Sequence, residues 1–109
     1  MQEDVRSLLR TLVSISGASA RYERCGDTHL CENDHFDLSF VLSGDVFEIR
    51  NIECRRPGLG RRIIGAIHGF CDDRGLEAQA SNVLDTAVIF WRKMGYEEGA
   101  KEGEYFRIT

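Results

Sequence analysis

At 109 residues, 42% of them hydrophobic and 29% charged, the chain suits one globular domain and leaves no room for two. A net charge of −4 runs against a general nucleic-acid binder, which needs a basic surface, and confines any positive site to a local cluster. The longest apolar run, Ala87–Trp91, is far too short to cross a bilayer and the opening residues carry no basic start followed by an apolar stretch, so the expectation is a cytoplasmic chain without membrane or nucleic-acid partners, its four cysteines reduced.

From the N-terminus, Val5, Leu8, Leu9, Leu12 and Val13 recur at helical spacing, and Gly17 stops the run. Residues 18–35 are polar and irregular, with a short strand around Ala20–Arg24 as their candidate element. Phe36, Leu38, Phe40 and Leu42 alternate as a half-buried strand does. Ser43-Gly44-Asp45 supplies a tight turn, and Val46–Cys54 a second strand, which makes a hairpin. A glycine turn follows, leading into a helix with Ile63, Ile64, Ile67, Phe70 and Cys71 on one face and Gly75 as its stop. On that helix His68 is expected at the surface, and Gly65 and Gly69, one turn apart, suit a close packing contact. Leu76–Ala80 is a short strand. Asp85 is placed to cap the next helix through its carboxylate, and Ala87, Phe90, Trp91 and Met94 form that helix's buried stripe. Arg92 and Lys93 suit its C-terminal end, and Gly95 closes it. The tail, from Tyr96 to Ile108, reads as a final hairpin. The pattern is a mixed α/β domain built around one sheet.

The glycine turn, "RRPGLGRR" from Arg55 to Arg62, joins a strand to a helix. The first N–H groups of a helix have no partner within it and carry the positive end of its dipole, so such a turn can cradle a phosphate. Gly58 and Gly60 permit close approach and unusual dihedrals. Arg55, Arg56, Arg61 and Arg62 add charge. A nucleotide-binding P-loop requires Gly-Lys-Ser/Thr, and here Gly60 is followed by Arg61; a dinucleotide fingerprint requires a third glycine where Ile63 stands. Both classes are disfavoured. Taken alone, the turn is equally a tight bend with a solvated helix start.

Arg55-x-x-Gly58-x-Gly60 resembles the acetyl-CoA pyrophosphate signature of the GNAT N-acetyltransferase superfamily. "AVIFWRKMGYEEG", Ala87–Gly99, is similar to a later helix of that superfamily, where an alanine, an apolar-aromatic pair, a lysine, a glycine and an aromatic recur at this spacing. The resemblance covers Phe36 to Ile108. It implies a central, mostly antiparallel sheet with splayed strands, flanked by helices. Val46–Cys54 would part from Leu76–Ala80, with pantetheine along the backbone of Ile52, Glu53 and Cys54. The pyrophosphate would sit on amides between Arg55 and Arg61, Leu59 among them, and Asn82 and Trp91 would line the pocket. The implied activity is transfer of an acetyl group from acetyl-CoA straight to a primary amine, such as a protein lysine or N-terminus. A second class stays open: a degenerate coenzyme-binding or partner-binding module, such as a phage-encoded inhibitor, on the same fold. A homodimer is also open.

The sequence departs from the family pattern in three places. The tyrosine that protonates the departing thiolate aligns with Trp91, whose indole N–H donates but is no usable acid. The family asparagine aligns with Leu84, and Asn82 stands nearby as a substitute. The N-terminal part is reduced, without room for the usual first strand and one of two early helices, which suggests an open site for a large substrate. For a base, Glu48 and Glu53 are candidates; an odd difference in position puts them on opposite faces of an ideal strand, and Glu53 is nearer the turn. Both also read as solvated strand carboxylates. A backbone N–H of the splayed strand could polarise the thioester carbonyl. Ser81, Tyr96 and Cys54 are candidate acids, with Tyr96 fitting a core aromatic and Cys54 a strand end; protonation by water serves otherwise.

"CGDTHLCENDH" holds Cys25, His29, Cys31 and His35, four residues able to bind Zn²⁺. Their spacing, Cys-x3-His-x-Cys-x3-His, matches no standard finger. The other reading is a polar loop with buried cysteines and surface histidines, His35 being placed to reach a substrate. No metal is expected.

Overall fold

The computed structural model describes residues 3–108. Helix α1, Glu3–Ser16, buries Val5, Leu8 and Leu12, the stripe its periodicity predicts. Its last amide bond runs from Gly17 to the Val13 carbonyl at 2.9 Å, and Gly17, left-handed at a φ of 75°, then turns the chain out of the helix. Strands β1 (Arg21–Cys25), β2 (Thr28–Glu32), β3 (Phe36–Ser43) and β4 (Val46–Cys54) follow as an antiparallel meander. Helix α2, Leu59–Arg74, carries the chain over to β5, Glu77–Ala80. A 3-10 turn at Asp85–Ala87 leads into the short helix α3, Val88–Lys93, and strands β6 (Tyr96–Glu98) and β7 (Tyr105–Arg107) close the chain.

The seven strands form one sheet in the order β1-β2-β3-β4-β5-β7-β6, with β4 and β5 parallel and the other pairs antiparallel. Phe36, Leu38 and Phe40 share a face with Cys54, Ile52 and Ile49 opposite them, and on that face lies the core with Leu59, Ile63, Ile64 and Ile67 of α2. Leu8 and Leu12 of α1 belong to the same cluster. Trp91 of α3 meets Tyr96 edge-on at 4.8 Å between ring centroids, and Tyr96 in turn hydrogen-bonds His68 of α2 at 2.8 Å. All three helices therefore flank one face of the sheet. The other face carries no helix and mixes polar side chains with Leu30, Val41 and Phe106, Val41 being 7% exposed.

Several expectations are corrected. The candidate strand around Ala20–Arg24 does form, as residues 21–25, and it pairs with a strand not expected from the sequence, residues 28–32, across a turn at Gly26, φ 61°. Strand β2 was hidden because one of its buried residues is a histidine. His29 is 4% exposed, stacked on Phe40 at 4.9 Å and bonded through Nδ1 to the Tyr22 hydroxyl at 2.6 Å. Asp85 lies inside the 3-10 turn and makes no capping hydrogen bond; Leu84 precedes the turn in extended conformation. The expected apolar stripe reduces to Trp91, since Ala87, Phe90 and Met94 are only half-buried. His68 is half-buried as well, and burial with the Arg107 charge nearby brings its pKa down to about 4. Gly65 and Gly69 face open space, with nothing within 4 Å of an added Cβ, so they pack against nothing among the described residues.

Candidate active site

The site begins with a bulge. Ser39 pairs with Asn51 and Phe40 with Ile49, so Arg50 opposes no residue of β3. An extra residue inverts the alternation beyond it. Phe47 and Ile49 face the core before the bulge, and Ile52 and Cys54 after it. Glu48, Asn51 and Glu53 consequently share the uncovered face, which corrects the expectation that the two glutamates point opposite ways.

β4 and β5 stay paired only from Val46–Glu77 to Ile49–Ala80. A last hydrogen bond runs from the Ser81 amide to the Ile49 carbonyl at 3.0 Å. Asn82 then turns the chain away at a φ of 56°, the single left-handed non-glycine among the described residues, a conformation asparagine tolerates better than most side chains. Val83 is held outward by the Gly103 carbonyl at 2.9 Å. Past the bulge, β4 therefore has no strand partner on its β5 side. The resulting wedge holds a cavity of about 110 Å³. Its walls are Ile49 to Ile52 on one side, Ser81 to Leu84 on the other, and Ala87 and Trp91 above. Trp91, 4% exposed, both packs in the core and lines the cavity. Ser81 Oγ is buried there with no hydrogen-bond partner. Leu84 is 71% exposed at the rim.

At the far end of β4 the turn reaches α2. Gly58 is left-handed, φ 78° and ψ −9°, and no side chain caps the helix. The Leu59 amide bonds Arg56 O and the Arg62 amide bonds Gly58 O. The Gly58, Gly60 and Arg61 amides make no backbone hydrogen bond among the described residues, as a first helical turn requires. Gly60 has no left-handed φ, and a Cβ there would make ordinary contact, 3.6 Å, with Cys54 Sγ and the Phe90 ring. Only Gly58 needs glycine for its backbone.

The arginine cluster divides in two. Arg55 bonds Asp37, Glu53 and the carbonyls of Asn33 and Asp34, and its guanidinium holds the Asp37 carboxyl below the usual range. Arg56 reaches back to the Ser16 and Ile15 carbonyls at 3.0 and 3.4 Å, satisfying the C-terminus of α1. These two side chains tie the fold together. Arg61 and Arg62 are exposed beside the free amides and supply the local positive charge.

The remaining candidates fall as follows. Glu53 is exposed and paired with Arg55. Glu48 is half-buried, contacts Arg50 at 3.4 Å and lies two residues before the bulge apex. Cys54 is half-buried, its thiol pushed up by burial. Tyr96 is a core residue, 1% exposed. His35 lies away from the wedge, its amide on Asn33 Oδ1 and its carbonyl on the Arg55 amide. Cys25 is exposed, while His29 and Cys31 are buried. The four zinc candidates do not converge, and the described residues contain no group of three or more side chains fit to hold a metal ion.

No family model and no curated protein matches the sequence. Solved structures do match the fold. An N-acetyltransferase named PaiA from Thermoplasma acidophilum, solved with coenzyme A, aligns over 93% of this chain and 67% of its own, with a TM-score of 0.55 and 12% identity. A Lactobacillus plantarum protein assigned as an N-acetyltransferase aligns over 96% and 88%, with a TM-score of 0.54 and 18% identity. Nourseothricin acetyltransferase aligns over 74% and 62%, at 24% identity and a TM-score of 0.48. A seven-stranded mixed sheet with its β4–β5 wedge and glycine turn, similar along nearly its whole length to the PaiA and Lactobacillus plantarum structures, gives this chain the GNAT-like fold.

Proposed function

We propose that the protein transfers an acetyl group from acetyl-CoA directly to a primary amine. The observation that carries this is the unpaired edge of β4 running from the bulge at Arg50 to a helix start with free amides at Gly58, Gly60 and Arg61. An extended ligand with an amide-bearing arm and a diphosphate can add to the strand edge along one stretch and end on the helix N-terminus. The cavity has room for a thioester head only; the rest of the coenzyme lies along the open edge. The PaiA structure, which this chain resembles in fold, holds coenzyme A.

The chemistry divides between the faces of the sheet. Trp91 and Ala87 close the cavity from the helix side. The acceptor amine comes from the uncovered face, where Glu48 and Glu53 stand. We assign the base to Glu48: each glutamate pairs with an arginine, Glu53 with Arg55 and Glu48 with Arg50, but Glu53 is exposed, whereas Glu48 is half-buried and stands beside the point where the strands part. Backbone amides at the bulge stabilise the oxyanion as the amine adds. With no helix over that face, the site accepts a bulky acceptor, such as a lysine or N-terminus presented on a protein.

The test is to mix acetyl-CoA with the protein and a panel of amines, peptides and proteins, and to follow free thiol together with acetylated product by mass spectrometry. Thiol release only in the presence of an amine supports transfer. Coenzyme binding without any thiol release supports the binding module, to which Trp91, at the place of the family's tyrosine acid, lends weight.

A further inference from the structure

The described residues leave one hydroxyl of the wedge unexplained. Ser81 Oγ is buried, lines the cavity and has no hydrogen-bond partner. A buried hydroxyl without a partner destabilises a folded chain, so its retention asks for a reason. Its own amide is already committed to Ile49 O, the last bond before the strands part. The side chain thus stands at the closed end of the wedge, on the β5 wall beside α3, across from the bulge. Trp91, the ring above it, offers an N–H but no ionisable group.

We propose that Ser81 is a catalytic residue whose hydroxyl hydrogen-bonds the departing coenzyme sulfur; this rests on the acetyl-transfer reading above. The amine nitrogen adds to the thioester carbonyl carbon, forming the C–N bond and moving the carbonyl electron pair onto oxygen. That pair returns as the C–S bond breaks, and the sulfur leaves with the bonding electrons. The proton lost by nitrogen passes to Glu48 or water, and the sulfur takes one proton from solvent to leave as a thiol. Ser81 donates its O–H to the thiolate throughout and ends unchanged. The bulge amides are left for the carbonyl oxygen, so the hydroxyl and the backbone serve different atoms.

Ser81→Ala tests this with four readouts. The variant should melt at the same temperature as the parent or higher, because it removes a buried hydroxyl that has no protein partner. Coenzyme A affinity should stay within about twofold. Turnover should fall roughly 10- to 100-fold, the worth of a hydrogen bond to a charged atom. The thiol of bound coenzyme A, followed by its ultraviolet thiolate absorbance against pH, should ionise about one pH unit higher than in the parent. A lower melting temperature or failure to fold makes the hydroxyl structural and overturns the proposal. So does an unchanged thiol ionisation or unchanged turnover with coenzyme still bound. Coenzyme A that binds neither protein overturns the acetyl-transfer reading itself, and this proposal with it.

Discussion

Gly58→Ala is the perturbation that separates the turn's backbone from its surroundings. At Gly58 φ is 78°, and an added Cβ meets nothing within 4 Å. No clash contributes, so the whole effect is conformational, about 1–2 kcal/mol for a side chain held in the left-handed region. About 1 kcal/mol lowers the melting temperature of a domain of 60–100 residues by roughly 4–8 °C, and this chain is only slightly longer. Thermal melts with and without coenzyme A read both consequences: a lower apo melting temperature, and a smaller coenzyme-induced rise as the turn relaxes and its amides lose alignment. Gly60→Ala is the control, since its φ is ordinary and its Cβ would only touch Cys54 and Phe90 at 3.6 Å; it should keep both properties. Equal melting temperatures for Gly58→Ala and the parent would refute the need for glycine. A lower melting temperature with undiminished coenzyme affinity would refute the link between the turn and the ligand.

Other perturbations have equally definite outcomes. Glu48→Gln should lower kcat at least 100-fold, the scale of a general base, while Glu53→Gln leaves it within a few-fold; the reverse ranking overturns the assignment. Arg61→Gln should weaken coenzyme binding roughly two- to fivefold, the range for an exposed charge pair, without moving the melting temperature, whereas Arg56→Gln should lower the melting temperature and spare affinity. Gly65→Ala and Gly69→Ala should each stabilise the exposed face of α2 by up to about 1 kcal/mol, and a loss of stability would show a contact that the fold does not contain. His68 ionises near 4 in the folded chain and near 6.5 when unfolded. The unfolded state thus takes up its proton first, so stability declines as pH falls from about 6.5 to 4 and is unaffected by this group above that range. His68→Gln should flatten that decline in denaturant melts read at several pH values; an unchanged slope would show that His68 does not cause it.

Much of the fold can be read directly from residue spacing. The β3–β4 hairpin, both ends of the α2 face and the strand at Glu77–Ala80 follow from alternation and glycine stops, because apolar residues there do nothing but pack. The misreadings share a cause: the deciding contact lay outside the local pattern. His29 counts as polar in sequence yet is buried, since Tyr22 takes its ring nitrogen and Phe40 its face. Arg55 and Arg56 look like phosphate ligands because they flank a glycine turn, but their partners lie at Asp37 and at the end of α1, distant in sequence. The parity of Glu48 and Glu53 assumed an unbroken pleat, and the bulge at Arg50 leaves no mark in composition. His68 looked like a surface residue until Tyr96 was brought over it by the last hairpin. For the site, the glycine turn and Trp91 were legible, as both sit in local sequence patterns. That the Ser81 hydroxyl would lack a partner was not, because burial depends on how two strands part.

The most direct test follows backbone amide resonances of the isotopically labelled protein during titration with acetyl-CoA. Saturable shifts should cluster at Gly58, Gly60 and Arg61 and along Arg50–Cys54. An absence of saturation, or shifts confined to the uncovered face around Leu30 and Ser39, would contradict coenzyme binding at the wedge.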